Sequence, residues 1–309
     1  MKKILALTLA LVLALSLCAC GGGNADTTTT DNGDAADTAT VEIPPVEDLT
    51  GTDTSAIPGV EDGVLTVGME CTYAPYNWTQ TDDSNGAVPI VNNPGSYANG
   101  YDVMIAQRIC DTYGWKLEVQ AIEWDGLIPA LNAGTIDAVI AGQSMTTSRM
   151  EQVDMAGPYF YASIVCVAKK DSEQAKAKGI SELTGTCTAQ SGTIWYTDCL
   201  PQVEGAQIMA QSESAPAMIM AVESGTVDFI CTDMPTAMGA CATYDNLVIL
   251  DFSGSEDNFQ VDAGEINIGI SVVKGNTTLL DAMNAVLSGM TVEDMNQIMN
   301  EAIAVQPAI

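Results

Sequence analysis

The spacing of apolar and polar positions changes period several times along the chain, and each change marks an element. Order begins at Val64-Leu-Thr-Val-Gly68, whose β-branched character predicts a strand. From Tyr101 to Tyr113 the apolar residues return every three or four places, which predicts a helix, and a strand is expected over 115–121. A helix over 125–133 stops at Gly134, and a strand over 136–141 follows. Strands at 163–169, 186–190, 206–210 and 227–231 then alternate with helices at 193–200, 213–224 and 234–243. The last part reads as a strand over 266–273 and helices over 277–288 and 291–304. Such alternation favours an α/β fold with mostly parallel sheets flanked by helices. Residues 79–100 carry Asp-Asp, Asn-Gly and Asn-Asn-Pro-Gly signals, so a loop is expected there, with a hairpin around Val88 to Val91.

The first sixty residues follow different rules. Lys2 and Lys3 precede an apolar run from Ile4 to Leu17 that is too short for an ordinary spanning helix and reads as a secretory leader. No later segment is long and apolar enough to cross a membrane. The run ends in Leu17-Cys18-Ala19-Cys20-Gly21, which resembles a bacterial lipobox. That resemblance implies a lipoprotein signal peptide over 1–19 and lipid on Cys20, so that the protein is extracytoplasmic and anchored to the cell membrane. Residues 20–63 are rich in Thr, Asp, Gly and Ala, with almost nothing apolar before Ile43. They cannot offset their ordering entropy by burial and are expected as a flexible acidic tether.

Composition narrows the chemistry. The chain has 309 residues, 47% of them hydrophobic, enough for one large or two modest domains. It has no histidine, which excludes Ser-His-Asp triads, Cys-His dyads and the usual His-containing zinc sites. The formal net charge of −30 makes nucleic-acid backbones poor partners, and loss of residues 1–19 removes two lysines and no acid. Seven thiols remain beyond Cys20, and an odd count outside the cytoplasm means one unpaired thiol at least, or a reducing habitat. Their spacing is not that of a metal site, and neither a metal nor a cofactor is implied.

The two α/β blocks and the strand-and-helix coda fit two lobes joined by two crossovers, with lobe 1 formed by 64–164 and 265–309 and lobe 2 by 165–264. A crevice between lobes, at the carboxyl ends of strands, is where small ligands bind. Arg149, one of two arginines, stands at the end of a βαβ unit beside a helix start, and its planar fork suits a carboxylate. Ser191-Gly192-Thr193-Ile194 follows a strand and opens a helix, so its N–H groups can face an anion or merely begin the helix. Asp233 ends a strand ahead of Pro235, the position of an N-cap aspartate.

Five segments taken in order carry a more specific signal. They are Leu65-Thr-Val-Gly-Met-Glu-Cys-Thr-Tyr-Ala-Pro-Tyr76, Gly100-Tyr-Asp-Val103, Trp124-Asp-Gly-Leu-Ile-Pro-Ala-Leu131, Asp137 to Arg149, and Val227-Asp-Phe-Ile-Cys-Thr-Asp233. Together they resemble the extracellular solute-binding proteins of polar amino-acid ABC transporters (family 3), with the two-lobed type II periplasmic-binding-protein fold, over about Val64 to Ala304. The resemblance implies that Arg149 and Ser144 hold the α-carboxylate of an amino acid while Gly142 lets the ligand approach. It makes Thr193 and Ile194 the second lobe's carboxylate contact and Asp233 the acceptor of the α-ammonium. Tyr73 and Trp124 would sandwich the ligand. Glu70, where the family usually has aspartate, would face the side chain and favour a basic or polar one.

Asn77, Trp78 and Trp195 stand near the expected entrance without an assigned role, and the 79–100 insertion exceeds the usual family length. A binding protein rather than an enzyme is implied, monomeric, delivering an amino acid to an ABC permease. The alternatives are a sensor or adhesin on the same scaffold and, with Glu70 or Asp233 as general acid, a dehydratase.

Overall fold

The computed structural model describes residues 48–307; the leader, Cys20 and the tether up to residue 47 lie outside the described residues. The chain enters with β1 (Val64–Met69), the short strands β2 to β5 (Thr72–Tyr73, Asn77–Gln80, Val88–Pro89 and Tyr97–Asn99), β6 (Lys116–Ala121), β7 (Ala138–Val139) and β8 (Val153–Phe160). It continues with β9 (Ile164–Lys169), β10 (Gly185–Thr188), β11 (Ala206–Ile208), β12 (Phe229–Asp233) and β13 (Leu247–Leu250), then returns as β14 (Ile268–Val273). These strands form one five-stranded sheet in the order β6-β1-β7-β14-β8 and a second in the order β11-β10-β12-β9-β13. A two-lobed α/β fold results, with the chain passing between lobes after Phe160 and returning before Ile268.

Each sheet is mixed, with four strands running one way and a single strand running against them. In the first, β1 pairs in parallel with β6 and β7, while β14 runs antiparallel to β7 and β8. In the second, β10 is parallel to β11 and β12, while β9 is antiparallel to β12 and β13. Parallel neighbours need a crossover helix within one lobe, and the strands that carry the chain between lobes have none. Strands β8 and β13 were not expected from the sequence: Gly157 and Pro158 interrupt the first, and the second is a bare four-residue apolar run. The segment expected as a helix over 193–200 is a π-helical turn, Trp195–Cys199, followed by a 3-10 turn, Leu200–Gln202.

Two stretches read as loop or tether are ordered parts of lobe 1. Strands β2, β3, β5 and β4 make a small sheet of their own from the 72–99 region. Asn92, inside the insertion, donates to the Ala121 carbonyl at 2.8 Å and accepts from the Ala121 N–H at 3.0 Å, so it covers the open edge at the end of β6. The tether expected over 20–63 ends earlier than its composition suggested. Leu49 N–H donates to the Thr112 carbonyl, Trp115 Nε1 to Thr54, and Asn276 to the Pro58 carbonyl, while Val60 is buried. A few apolar residues suffice here because lobe 1 already presents the surface they cover.

The helix Tyr101–Tyr113 shows why its sequence ends where it does. Gly100 has φ 125°, and a Cβ there would lie 2.4 Å from the Tyr76 carbonyl oxygen, so only glycine lets helix and strand meet. Gly114, left-handed, closes the far end by donating to the Cys110 carbonyl. Six of the seven described cysteines are buried, Cys241 is half-buried, and all seven are free thiols. Burial pushes Cys71, Cys110 and Cys187 up to about 12, so they pack as small hydrophobes rather than react. No helix among the described residues is long and apolar enough to cross a membrane.

Candidate functional site

The cleft between the sheets is built where β1, β7 and β12 end. Asp233, the last residue of β12, caps the helix Met234–Thr243: its Oδ1 accepts from the Thr236 N–H at 2.9 Å and its Oδ2 from the Thr236 hydroxyl at 3.0 Å. Lobe 1 supplies two more donors, Tyr73 Oη at 2.9 Å and Tyr76 Oη at 3.4 Å. The carboxyl is 1% exposed, and burial raises its pKa although these hydrogen bonds pull the other way. Its position as a helix cap is thus plain, and the same carboxylate joins the two lobes.

Beneath Tyr73 lies Gly142, at φ 62°, where a Cβ would sit 2.8 Å from Tyr73 Cε1. The absent side chain makes room for the Tyr73 ring, which lies 5.0 Å from that of Tyr76. The Gly142 N–H donates to Tyr159 Oη at 2.9 Å, and that hydroxyl donates to Asp102 at 2.6 Å. Asn77 donates to the other Asp102 oxygen at 2.8 Å and accepts from the Cys71 N–H at 2.7 Å. Asp102 is therefore a fully buried hub tying the helix start to the turns that carry Glu70 and Gly142. Burial lifts it to about 6 against the pull of Tyr159, Asn77 and the nearby Gly142 N–H.

Arg149 closes the opposite end. The hydroxyl of Thr146 accepts from its N–H and starts the short helix Thr147–Met150. Its guanidinium donates to the Ser144 carbonyl and reaches the Gly192 carbonyl of lobe 2 at 3.5 Å. It also lies 5.6 Å above the Trp124 ring, a cation–π distance. Burial lowers its pKa to about 10, so it stays charged at neutral pH. Together with Trp124, Asp125, Gln143, Ser148 and Gly192 it lines a cavity of about 430 Å³. Gly192, at φ 66°, admits Trp124 because a Cβ there would stand 3.0 Å from its Nε1. Thr193 donates through its hydroxyl to the Gln190 carbonyl at 2.7 Å, and buried Ile194 leads into the turn Trp195–Cys199.

Glu70, the residue just after β1, stands in a third setting. It is 7% exposed, its Oε2 has no hydrogen-bond partner among the described residues, and burial pushes it up to about 7. Gln190 of lobe 2 approaches closely enough to offset part of that rise, yet its Nε2 also lacks a properly formed hydrogen bond.

The residues singled out in the sequence thus gather at one cleft, but not as one shell. Tyr73 serves Asp233 and pairs with Tyr76, whereas Trp124 faces Arg149, so the two rings do not face each other as a sandwich. Ser144 meets Arg149 through its carbonyl. Asn77, Trp78 and Trp195 are buried rather than at an entrance. Sequence reasoning missed Tyr76, Thr236 and Tyr159 as cleft residues, and it quoted Asp102 without giving it a role. A tyrosine three places after Tyr73 and an acid in a helix's first turn were the available signals; the Tyr159–Asp102 and Tyr76–Asp233 bonds span 57 and 157 positions and leave none.

The match to the bacterial extracellular solute-binding proteins, family 3, spans residues 65–303. The chain belongs to this family. Among its relatives, the arginine-binding periplasmic protein of Mannheimia haemolytica is 30% identical over 219 residues, covering 71% of this chain and 82% of that protein. The L-cystine-binding protein TcyA of Bacillus subtilis is 29% identical over 188 residues, 60% of this chain and 62% of its own length. In fold, this solute-binding protein matches an amino acid ABC transporter substrate-binding protein from Streptococcus pneumoniae bound to L-arginine, with a TM-score of 0.67 at 23% identity over 80% of this chain and 96% of that one. Its relatives are amino-acid-binding proteins of ABC transport, an extracellular family.

Proposed function

We propose that the protein captures a single amino acid with a basic or polar side chain between its lobes and hands it to an ABC permease, held to the cell membrane by lipid on Cys20. The observation that carries this reading is the placement of opposite charges across one cleft. Arg149 of lobe 1 reaches toward lobe 2 at Gly192, and Asp233 of lobe 2 is met by Tyr73 and Tyr76 of lobe 1. An α-carboxylate on Arg149 and an α-ammonium on Asp233 would bridge the lobes and favour closure. Ser144, Gly142, Thr193 and Ile194 would complete the carboxylate end, with Tyr73, Trp124 and Glu70 around the side chain. The buried acids Glu70, Asp102 and Asp233 make this end of the cleft unfavourable for a side-chain carboxylate. A relative named for binding arginine fits that range.

Thermal-shift screening of the chain beyond Cys20 against the twenty amino acids and L-cystine tests it. A ligand at 100 times its Kd should add about 2.7 kcal/mol of stability. Absence of a shift with every amino acid sinks the reading. Small-angle scattering of the same samples should show a more compact shape with the ligand, and partitioning of Cys20→Ala away from membranes checks the anchor.

A further inference from the structure

Three carboxyl groups are buried in the cleft, and two of them are well supplied with donors. Asp233 accepts from Thr236, Tyr73 and Tyr76, and Asp102 from Tyr159 and Asn77. Glu70 differs. Its Oε2 is buried without a partner, and the group that approaches it from the other lobe, the Gln190 amide, also has a buried Nε2 without a partner. Gln190 is 2% exposed, so neither atom can turn to water. The charges weighing most on Glu70 are all negative: Glu123 and Asp125 from the turn after β6, and Asp102 from the start of the helix Tyr101–Tyr113. Its chain neighbours Cys71 and Tyr73 are neutral, their own ionisation suppressed by burial.

We propose that Glu70 and Gln190 act as a proton-controlled selector at the side-chain end of the cleft, taking a cationic side chain when Glu70 is ionised and a neutral amide or ureido side chain when Glu70 is protonated. The proposal rests on the amino-acid-binding reading above. An ionised Glu70 offers only acceptors, which a guanidinium or ammonium group satisfies while cancelling the local negative charge. A protonated Glu70 offers one O–H donor and one carbonyl acceptor. A side-chain amide can then donate to that carbonyl and accept from the O–H or from Gln190 Nε2, pairing every group. With its carboxyl lifted to about 7, Glu70 changes state within the ordinary range of an extracellular medium. The proton balance is simple: a cationic ligand entering the protonated site forms the ion pair and releases one proton to solvent.

Titration calorimetry with arginine and glutamine as probes tests this at pH 5, 6, 7 and 8, in paired buffers of different ionisation enthalpy. For the wild type, arginine affinity should fall about tenfold per pH unit below 7, with close to one proton released per arginine bound near pH 5. Glutamine affinity should stay level or rise in acid, with no proton released. Glu70→Gln, nearly isosteric, should abolish the arginine pH dependence and keep glutamine binding, and Gln190→Leu should weaken glutamine more than arginine. A flat arginine profile without proton release in the wild type overturns the proposal by itself, whatever the variants do. Binding of neither probe at any pH, with no hit in the amino-acid screen, overturns the parent reading and this one together.

Discussion

Asp233 and Glu70 are buried carboxyl groups on opposite walls of one cleft, and the fold surrounds them differently. Asp233 receives four hydrogen bonds, two from its own helix start and two from tyrosines of the other lobe. Glu70 has an oxygen with no partner and acids as its strongest electrostatic neighbours. Desolvation raises both, but only at Asp233 do several donors oppose it. Burial pushes both carboxyls up; what differs between them is the supply of donors, four at Asp233 and none at Glu70 Oε2. Donors that come from across the cleft also make Asp233 part of the joint between lobes, while Glu70 keeps its capacity for something else.

Removing the supported group should have the largest effect. Asp233→Ala strips four donors of their acceptor and leaves a ligand ammonium unpaired, so amino-acid affinity should fall by on the order of 2–5 kcal/mol. Arg149→Ala should cost a similar amount at the other end. Calorimetry on folded variants decides it, and near-native affinity in either removes that residue from the site.

The unsupported group should show itself in stability against pH. Glu70 and Asp102 are raised to about 7 and about 6, so the folded chain holds protons that the unfolded chain has already lost. Stability without ligand should therefore fall as pH rises from about 4 to 7, opposite to the usual carboxylate trend. Groups of lowered pKa, such as Asp294 bonded to Thr291, act below that window. Glu70→Gln should flatten the upper part of the slope by roughly 3 kcal/mol. Urea unfolding at pH 4.5 and 7.5 measures it; stability that climbs across the window breaks the contrast between the two acids.

Smaller effects sharpen the comparison at Asp233. Gly142→Ala places a Cβ against Tyr73 at a left-handed φ, so it should cost about 1–3 kcal/mol and displace the tyrosine from Asp233. Tyr73→Phe removes one of four donors to the buried carboxyl and should cost about 0.5–1.5 kcal/mol, since Tyr76 and Thr236 remain. Melting temperatures of both variants with and without ligand give the order. A loss for Tyr73→Phe as large as for Asp233→Ala would place the importance in the Tyr73 hydroxyl rather than in the carboxylate's four donors together.

Much of the scaffold was legible because helix and strand periodicity is local. The helix over 234–243 and the strand over 163–169 stand within a residue of expectation, and Gly134 and Gly114 end their segments as left-handed glycines do. Strand β8 was hidden by Gly157-Pro158, which in sequence reads as a break, and the mixed sheets were hidden because strand direction follows from the crossovers. At the cleft, the charged and aromatic candidates could be named from their segments. Their partners could not: Tyr73 and Asp233 are 160 positions apart, and nothing local to either records the bond.

By itself the sequence determined the composition of the cleft: one guanidinium, several carboxyls, aromatic residues beside them and no histidine. It also determined the elements whose ends those residues occupy, since both follow from residue type and short-range spacing. Only the tertiary structure decided which acid is supplied with donors and which is not, that Trp124 lies under Arg149 rather than opposite Tyr73, and that Gln190 approaches Glu70. Those are contacts between the two lobes or between distant turns, and their free energy depends on desolvation and geometry that exist only once the sheets have packed.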